Sequence, residues 1–302
     1  MNITAVADAL ACPAEEFTIA YEEPMRRHIS FRIGGPAEVL IQPKTERAIC
    51  AVVRTARENA IPLTVLGNGS NVLVRDEGIR GIVLAIGTEF GSIAVSGTEI
   101  VAQTGALLSV LAAEAQKASL SGLEFAGGIP GSLGGALFMD AGAYGGQMAD
   151  VVRTTRYLND ELEIAELHGE EHAFGYRASV FKDHPQWIAL SSTMTLQAGD
   201  ASEIRARMED FAQRRRDKQP LNFPSAGSTF KRPTGYFAGK LIQDAGLMGY
   251  TVGGAQVSEK HAGFVINRGG ATCADVLGVI DHVREEVLRQ FGVELEPEVR
   301  LL

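Results

Sequence analysis

Ser228 lies in Ser225-Ala-Gly-Ser-Thr-Phe-Lys-Arg232, a serine among small residues beside two cations. That setting suits an activated hydroxyl. No His/Asp partners stand at hydrolase spacing, however, and Ala226 and Phe230 occupy the places where a G-x-S-x-G elbow needs glycines. Proton donation therefore fits Ser228 better than acyl transfer, the plain alternative being a helix N-cap or loop hydroxyl. Arg177, closing Phe174-Gly-Tyr-Arg177, offers a permanent cation with a planar fork suited to a carboxylate, although a surface ion pair is the commoner fate of any single arginine. Glu298 follows Pro297 in Leu295-Glu-Pro-Glu-Val299. The proline interrupts a regular strand ladder and can turn Glu298 inward, against the alternative of an exposed edge charge. His261, in Ser258-Glu-Lys-His-Ala262, is a candidate phosphate ligand, though a lone histidine is more often structural. The basic turn from Arg214 to Lys218 reads first as a solvated helix end that favours the dipole.

Two glycine systems must position something large. Gly67-Asn-Gly-Ser-Asn71 falls between apolar strands and can aim successive N–H groups into a phosphate-sized concavity, or else form a tight turn. Gly127-Gly-Ile-Pro-Gly-Ser-Leu-Gly-Gly135 is followed by Ala141-Gly-Ala-Tyr-Gly-Gly146. Nine glycines between Gly122 and Gly146 predict loops rather than a helix or strand, since each would cost about 1 kcal/mol there. Close approach of backbone to a pyrophosphate or flat cofactor ring explains the density. No G-x-G-x-x-G follows a strand and no G-x-x-x-x-G-K-[ST] occurs, so the expectation is a dinucleotide held without a Rossmann unit.

The framework elements are legible from periodicity. Strands are expected at 37–41, 63–66 (buried), 72–74 (resuming the previous strand) and 81–84, giving a small α+β unit up to about residue 90. Thr45 should cap a helix running to Ala60, and residues 92–103 should form a hairpin. Further helices are expected at 107–117, at 201–218 with Ile204, Met208 and Phe211 inward, and at 273–291 ending on Gly292. A domain boundary is expected near residue 203, and a closing strand from Val293 to Leu302.

Composition narrows the function classes. The chain has 302 residues, of which 45% are hydrophobic and 22% charged, as in a globular protein. Net charge is 28 − 37 = −9, which disfavours a nucleic-acid binder. No apolar run is long enough for a membrane span, and the N-terminus lacks the basic start of a secretory signal. Three cysteines without metal or disulfide spacing read as reduced thiols, and the expected compartment is the cytoplasm, with no metal site. Nothing in the sequence sets the oligomeric state; a monomer is the working expectation.

Seven blocks in one order resemble the UDP-N-acetylenolpyruvoylglucosamine reductase (MurB) family of flavoenzymes. They are Ser30-Phe-Arg-Ile-Gly-Gly-Pro36, the two glycine systems, Phe174–Arg177, Ala226–Lys231, Ser258–His261 and Leu295–Arg300. The single run Gly175–Ser179, with no extended insertion after it, is similar to the shorter subtype. The resemblance implies an α+β fold of three domains. Two, at 1–90 and 91–203, would form a vanillyl-alcohol-oxidase/PCMH-type FAD-binding unit; the third, 204–302, would bind substrate, with its C-terminal segment returning to the FAD site. It implies reduction of the enolpyruvyl ether of UDP-N-acetylglucosamine to the lactyl ether of UDP-N-acetylmuramate, for peptidoglycan, with FAD as cofactor and NADPH as hydride donor. Arg177 and Glu298 would hold and polarise the substrate carboxylate, Glu298 only if protonated or hydrogen-bonded, and Ser228 would donate the proton. FAD would meet Gly67, Asn68, Gly69, Ser70, Asn71, Gly127, Gly128, Ile129, Pro130, Gly131, Ser132, Gly135, Asp140 and Gly142. Substrate would meet Tyr144, Tyr176, Lys218, Arg232 and His261. Asp140 departs from the family's usual Asn, losing an amide donor, and Ser30 from its usual Thr. The competing readings are an FAD-dependent oxidase of the same superfamily and a nucleotide-sugar-binding protein without catalysis.

Overall fold

The computed structural model describes residues 6–302; residues 1–5, the start of the expected first domain, lie outside it. A short helix α1 (Val6–Ala9) precedes strands β1 (Phe17–Pro24) and β2 (Pro36–Pro43). Helix α2 (Glu46–Glu58) is capped as expected, the Thr45 hydroxyl accepting from the Ala48 amide at 3.1 Å. Strands β3 (Leu63–Leu66), β4 (Val72–Leu73) and β5 (Ile79–Ala85) follow, and the first sheet has the order β1-β2-β5-β3. Two expectations fail here. As an edge strand, β3 buries only Leu66 and leaves Val65 39% exposed, so it is not a buried strand. β4 does not resume it, because β4 leaves that sheet to pair in parallel with β18 (Arg300–Leu301).

Strands β6 (Ile93–Ser96) and β7 (Glu99–Gln103) make the expected hairpin, and helix α3 (Leu108–Lys117) follows. After β8 (Leu120–Ser121), the glycine-rich stretch is not all loop. Helix α4 (Leu133–Met139) contains Gly134 and Gly135. It tolerates Gly134 because a Cβ there would press to 3.2 Å from the Thr104 Cβ, so glycine permits close packing that outweighs its poor helix propensity. Strands β9 (Gly142–Ala143) and β10 (Gly146–Gln147) and helix α5 (Met148–Val151) lead to β11 (Val152–Leu158) and β12 (Ile164–His168). Helix α6 (Val180–Asp183), β13 (Ile188–Thr195) and β14 (Gln197–Ala198, paired with β8) complete this part. The second sheet is antiparallel, in the order β12-β11-β13-β7-β6.

Helix α7 (Ala201–Lys218) spans the expected residues; Ile204 is buried, while Met208 and Phe211 are half-buried. Helix α8 (Ala238–Asp244) precedes the antiparallel strands β15 (Thr251–Val252), β16 (Ala255–Val257) and β17 (Val265–Asn267). Helix α9 (Cys273–Phe291) packs on these strands through Val276, Val279, Ile280, Val283 and Val287, each worth about 1.5–3 kcal/mol when fully buried. Its expected stripe stops short of Phe291, which is exposed, and Gly292 ends the helix at φ 69°. The closing strand is confined to Arg300–Leu301, because Pro297 has no N–H for a ladder and instead bridges Phe230.

The mixed composition of helices and strands makes this an α+β fold. The chain forms two compact units built from interleaved stretches. The first comprises the described part of Met1–Tyr21 with Val39–Asn68 and Gly81–Arg214; the second, Glu22–Glu38, Gly69–Arg80 and Arg215–Leu302. Within the first, one apolar core gathers around α2 and β5 (Ile49, Val52, Ile82, Leu84, Phe90) and another around α3 and α4 (Leu108, Leu111, Leu133, Leu137). Among the described residues no helix is long and apolar enough to cross a membrane, and the three cysteines are free.

Within the first unit, the part of α7 up to Arg214 is tied to the 121–124 turn by charge. The Glu124 carboxylate is buried, accepts from Arg207 Nη2 at 2.6 Å, from Ser121 Oγ at 2.8 Å and from the Gly122 amide at 2.7 Å. Burial alone would raise its pKa, but Arg207 and the amide and hydroxyl donors together hold it below the usual value. A lowered carboxylate pKa gives stability that is present above the unfolded value, about 4.3, and is lost as pH falls through the folded one. Arg207→Ala is expected to remove about 1.5–3 kcal/mol near neutral pH, the range for a hydrogen bond to a charged group. It should also move the acid-side fall in Tm to higher pH, and a scan of Tm against pH for both proteins measures the two effects together.

Candidate active site

In the first unit the expected cofactor loops meet. Asn68 Nδ2 donates to the Pro130 carbonyl at 2.6 Å, joining the 67–68 turn to the 127–132 loop. That loop leaves the short 3-10 turn Glu124–Gly128, which holds Gly127 and Gly128, and the Ile129 amide bonds back to Ala126 at 3.0 Å. It is then laid along residues 104–108. The Leu108 amide donates to Gly131 O at 3.0 Å, and the Leu133 and Gly134 amides to Ala106 O and Thr104 O, both at 2.8 Å. Ser132 sits at the N-cap of α4 yet makes no capping bond, and its buried hydroxyl has no partner among the described residues. A Cβ on Gly67 would lie 2.6 Å from that hydroxyl. Gly135, on the first turn of α4, has open space where a Cβ would stand.

An N-cap serine that satisfies no amide, its hydroxyl beside the bare Cα of Gly67, is an unfilled polar contact at a backbone surface. This fits a group carrying hydrogen-bonding oxygens, as FAD does. Gly142 and Gly146 are different, because their absent side chains make room for Gly146 O and the Phe125 ring respectively. Part of the glycine density thus serves packing within the chain.

Asp140, the departure from the usual Asn, is buried in the left-handed region at the end of α4, and its Oδ1 accepts from the Ala149 amide at 2.9 Å. Burial raises its pKa, the Ala149 bond opposes this, Asp150 adds to the rise and Arg177 counters it. The acid is therefore occupied in holding the chain after α5 begins. Tyr144 and Gly145 join β9 to β10 with φ of 54° and 89°, as a type I′ turn requires, and the Tyr144 ring stacks on Phe211 at 4.5 Å. Neither the strain at Tyr144 nor its aromatic partner was visible in the sequence.

Arg177 projects from a narrow turn in which Gly175 and Ala178 exchange backbone bonds of 3.1 and 2.9 Å. It is half-buried at φ 56°, with its guanidinium 5.2 Å from the centroid of the exposed Tyr176 ring. The turn is fixed on both sides. Ser179 Oγ donates to Phe138 O at 3.0 Å, and Phe174 stacks at 4.9 Å on His172, which is fully buried and bonded to Gly169 O and Thr155 Oγ1, both at 2.9 Å. Burial lowers the His172 pKa, with Gly169 O opposing. Sequence reasoning missed His172; no motif distinguishes it.

In the second unit Ser228 and Glu298 are brought together by the residue between their segments. Thr229 donates its amide to Gly263 O at 2.8 Å, accepts from Val265 N on its hydroxyl at 3.0 Å, and accepts from the Glu298 amide on its carbonyl at 2.8 Å. Thr229 is buried, while Ser228 beside it is exposed and follows Gly227 at φ 77°. Glu298 is half-buried, and its carbonyl accepts from Asn71 Nδ2 at 3.2 Å. Asn71 belongs to the stretch in which Gly69 O accepts from the Ser30 amide at 3.0 Å, with Ser70 half-buried next to it. The chain end runs alongside, Arg300 N bonding to Asn71 O at 3.0 Å and Leu302 N to Leu73 O at 2.9 Å. Arg232 is exposed and lies 4.1 Å over the Phe237 ring. Lys218, at the end of α7, is exposed, and its charge joins burial in lowering the His261 pKa. No group of His, Cys, Asp and Glu among the described residues could hold a metal.

Comparison with known proteins agrees with this arrangement. Residues 219–302 match the family UDP-N-acetylenolpyruvoylglucosamine reductase, C-terminal domain, and residues 37–167 match the FAD binding domain family. The UDP-N-acetylenolpyruvoylglucosamine reductase of Clostridioides difficile is 53% identical over 94% of this chain and 93% of its own length. The chain belongs to the UDP-N-acetylenolpyruvoylglucosamine reductase family. A reductase of the same name from Caldanaerobacter subterraneus is 48% identical over 98% of both chains. The crystal structure of the reductase from Thermus caldophilus superimposes with a TM-score of 0.80 at 33% identity, covering 94% of this chain and 98% of that one. A variant of Phl p 4 described as a glucose oxidase shares the fold alone, with a TM-score of 0.50 at 15% identity over 67% of this chain and 45% of that one. As in the family, FAD is the cofactor, and Ser132 and Gly67 are the residues whose geometry fits it.

The unpartnered Ser132 hydroxyl sets opposite signs for two properties. Ser132→Ala should leave the flavin-free protein as stable or up to about 1–3 kcal/mol more stable, since a buried unsatisfied group is removed. The same variant should hold FAD about tenfold more weakly or worse, as should Gly67→Ala. Tm of the stripped protein and the flavin-to-protein ratio after purification measure the two.

Proposed function

We propose that this chain reduces UDP-N-acetylglucosamine enolpyruvate to UDP-N-acetylmuramate in the cytoplasm, with NADPH as donor, for peptidoglycan precursor synthesis. The observation that carries the residue assignments is the Thr229 junction, which leaves the Ser228 hydroxyl exposed one residue from the backbone that holds Glu298. Bound FAD supplies two-electron transfer from NADPH to the vinyl group.

The chain's own residues manage charge and protons. Adding a hydride to the methylene end of the enolpyruvyl group would make it a methyl and place negative charge on the carbon next to the carboxylate. Arg177, a cation that cannot be deprotonated, would stabilise that charge as it spreads onto the carboxylate oxygens. Glu298 would assist in its protonated form, donating a hydrogen bond to the carboxylate, because an ionised acid there would repel it. Ser228 would give its proton to the carbon, and the balance is one enolpyruvyl ether, one NADPH and one proton to one lactyl ether and NADP+. Tyr144, Tyr176, Lys218, Arg232 and His261 are proposed to meet the nucleotide sugar. Lys218 suits its diphosphate as a mobile point charge. The domain scheme consistent with this reading keeps 1–90 and 91–203 for FAD and 204–302 for substrate.

The test is an anaerobic titration of the purified holoenzyme followed by its visible spectrum. NADPH should bleach the flavin band, and enolpyruvyl-UDP-N-acetylglucosamine should restore it. Bleaching without restoration by this substrate would overturn the reductase reading in favour of another electron acceptor. Ser228→Ala should slow restoration by about 10²–10⁴-fold, the usual worth of a positioned general acid, while bleaching proceeds at the wild-type rate.

A further inference from the structure

We propose that His261 acts as a neutral hydrogen-bond donor through Nε2 to an oxygen of the nucleotide sugar, with Gly263 and Gly239 as the residues that position its ring. The ligand named here rests on the reductase reading above; the state of the ring does not.

The Gly263 amide donates to His261 Nδ1 at 3.1 Å. An N–H group can donate only to a nitrogen with a free lone pair, so Nδ1 carries no proton. The ring is then neutral with its proton on Nε2, and it cannot become imidazolium without breaking the Gly263 bond. Nε2 makes no hydrogen bond to the described residues, whereas neighbouring groups of the loop do. Ser258 Oγ, itself buried, accepts from the Lys260 amide at 3.1 Å and the His261 amide at 3.3 Å.

Two glycines confine the ring. A Cβ at Gly263 would stand 3.0 Å from the His261 Cε1, and one at Gly239 would stand 3.3 Å from the same atom and from the Gly263 nitrogen. Neither glycine has a positive φ, so conformational freedom is not the reason for glycine at either place. Space for the ring is. Phe264 closes a further side, edge-on at 5.0 Å.

Charged groups around the ring agree with a neutral state. Burial is the largest influence and disfavours a cation, a backbone hydrogen bond within His261 opposes it, and Lys218 adds to the lowering. On its own loop, Lys260 is engaged with Arg216 O at 2.6 Å, and Glu259 lies towards Gly249. On α8, Lys240 pairs with Asp244. A neutral donor next to Lys218 adds a directional bond to an anionic ligand without adding a repelling charge.

Two measurements decide the matter. In oxidised holoenzyme labelled with 15N-histidine, long-range proton–nitrogen correlations should show His261 with a protonated Nε2 and a bare Nδ1, unchanged between about pH 6 and pH 8.5. The signal is assigned by its loss in His261→Gln. A proton on Nδ1, or an imidazolium at neutral pH, would overturn the proposal. Binding of UDP-N-acetylmuramate should weaken about tenfold or more in His261→Ala and be largely restored in His261→Gln, whose amide keeps a neutral donor.

Gly239→Ala separates positioning from stability. Alanine is the better helix former, so Tm should hold or rise while binding weakens several-fold. Wild-type affinity in both His261→Ala and Gly239→Ala would overturn this inference alone. Failure of the wild-type holoenzyme to bind UDP-N-acetylmuramate would overturn the reductase reading and with it the ligand assigned here.

Discussion

Thr229 is the joint on which the second unit depends. Its amide and hydroxyl are bonded to Gly263 and Val265 in one segment and its carbonyl to Glu298 in another, both distant from it in sequence. A buried threonine with all three groups paired has no freedom left, and the backbone on either side inherits its position. Ser228 can therefore be exposed without being mobile, preceded by a glycine in the left-handed region that turns the chain outward. Phe230 and Lys231 continue the same register, bridging Pro297 and bonding to Glu296 O at 2.9 Å. The proton donation proposed for Ser228 calls for this kind of setting, accessible in its side chain and held in its backbone.

The first unit solves a different problem with different material. Apart from the turn that carries Arg177, its glycine-rich loops present backbone rather than reactive side chains. Residues 129–134 are held by carbonyls at 104–106, so the amides at the head of α4 are partly used within the chain, and Ser132 is left with a hydroxyl that caps nothing. Where sequence reasoning gave both glycine systems to the approach of a ligand, the structure separates three tasks. Gly134 lets a helix lie against Thr104, Gly142 and Gly146 let a hairpin close on itself and on Phe125, and Gly67 leaves room beside Ser132.

Periodicity and caps were enough to place most helices. Thr45, Gly292 and the residues of α7 behave as their side chains dictate, because these signals are local. The blocks carrying Arg177, Ser228 and Glu298 were likewise legible, since the residue types are uncommon in combination. Pairings between distant stretches were not. β4 follows β3 closely in sequence and carries the same apolar pattern, yet joins the C-terminal strand, a choice made by backbone bonds from Arg300 and Leu302 that no periodicity encodes. The second unit is assembled from three separated stretches for the same reason: Asn267 Nδ2 bonds to Phe31 O at 3.1 Å, and Asp76 caps α9 at the Cys273 and Ala274 amides at 2.8 and 3.1 Å. Side-chain caps of this sort act across some two hundred residues of sequence, beyond the reach of any local rule. Asp76 also explains a reactivity: with burial as the larger cause, its charge helps push the Cys273 thiol up to about 11, leaving that cysteine inert at neutral pH.

Overall charge is at odds with an anionic substrate, and the conflict limits how binding can work. A chain of net charge −9 repels a nucleotide diphosphate and a carboxylate at long range, so attraction must come from groups that act within a few ångströms. Arg177, proposed to answer this need, sits on a turn whose backbone is fixed through Ser179 and Phe174. Lys218, exposed at the end of α7, is proposed to answer it as a mobile cation. On the proposal for His261, a further cation there would add attraction but repel Lys218, whereas the Gly263 amide bond favours a neutral ring with its donor on Nε2. Short-range, oriented donors also carry less salt dependence than a basic surface would. On these proposals, specificity for one nucleotide sugar would follow from geometry at a few fixed hydrogen atoms, which an acidic protein can supply without changing its overall charge.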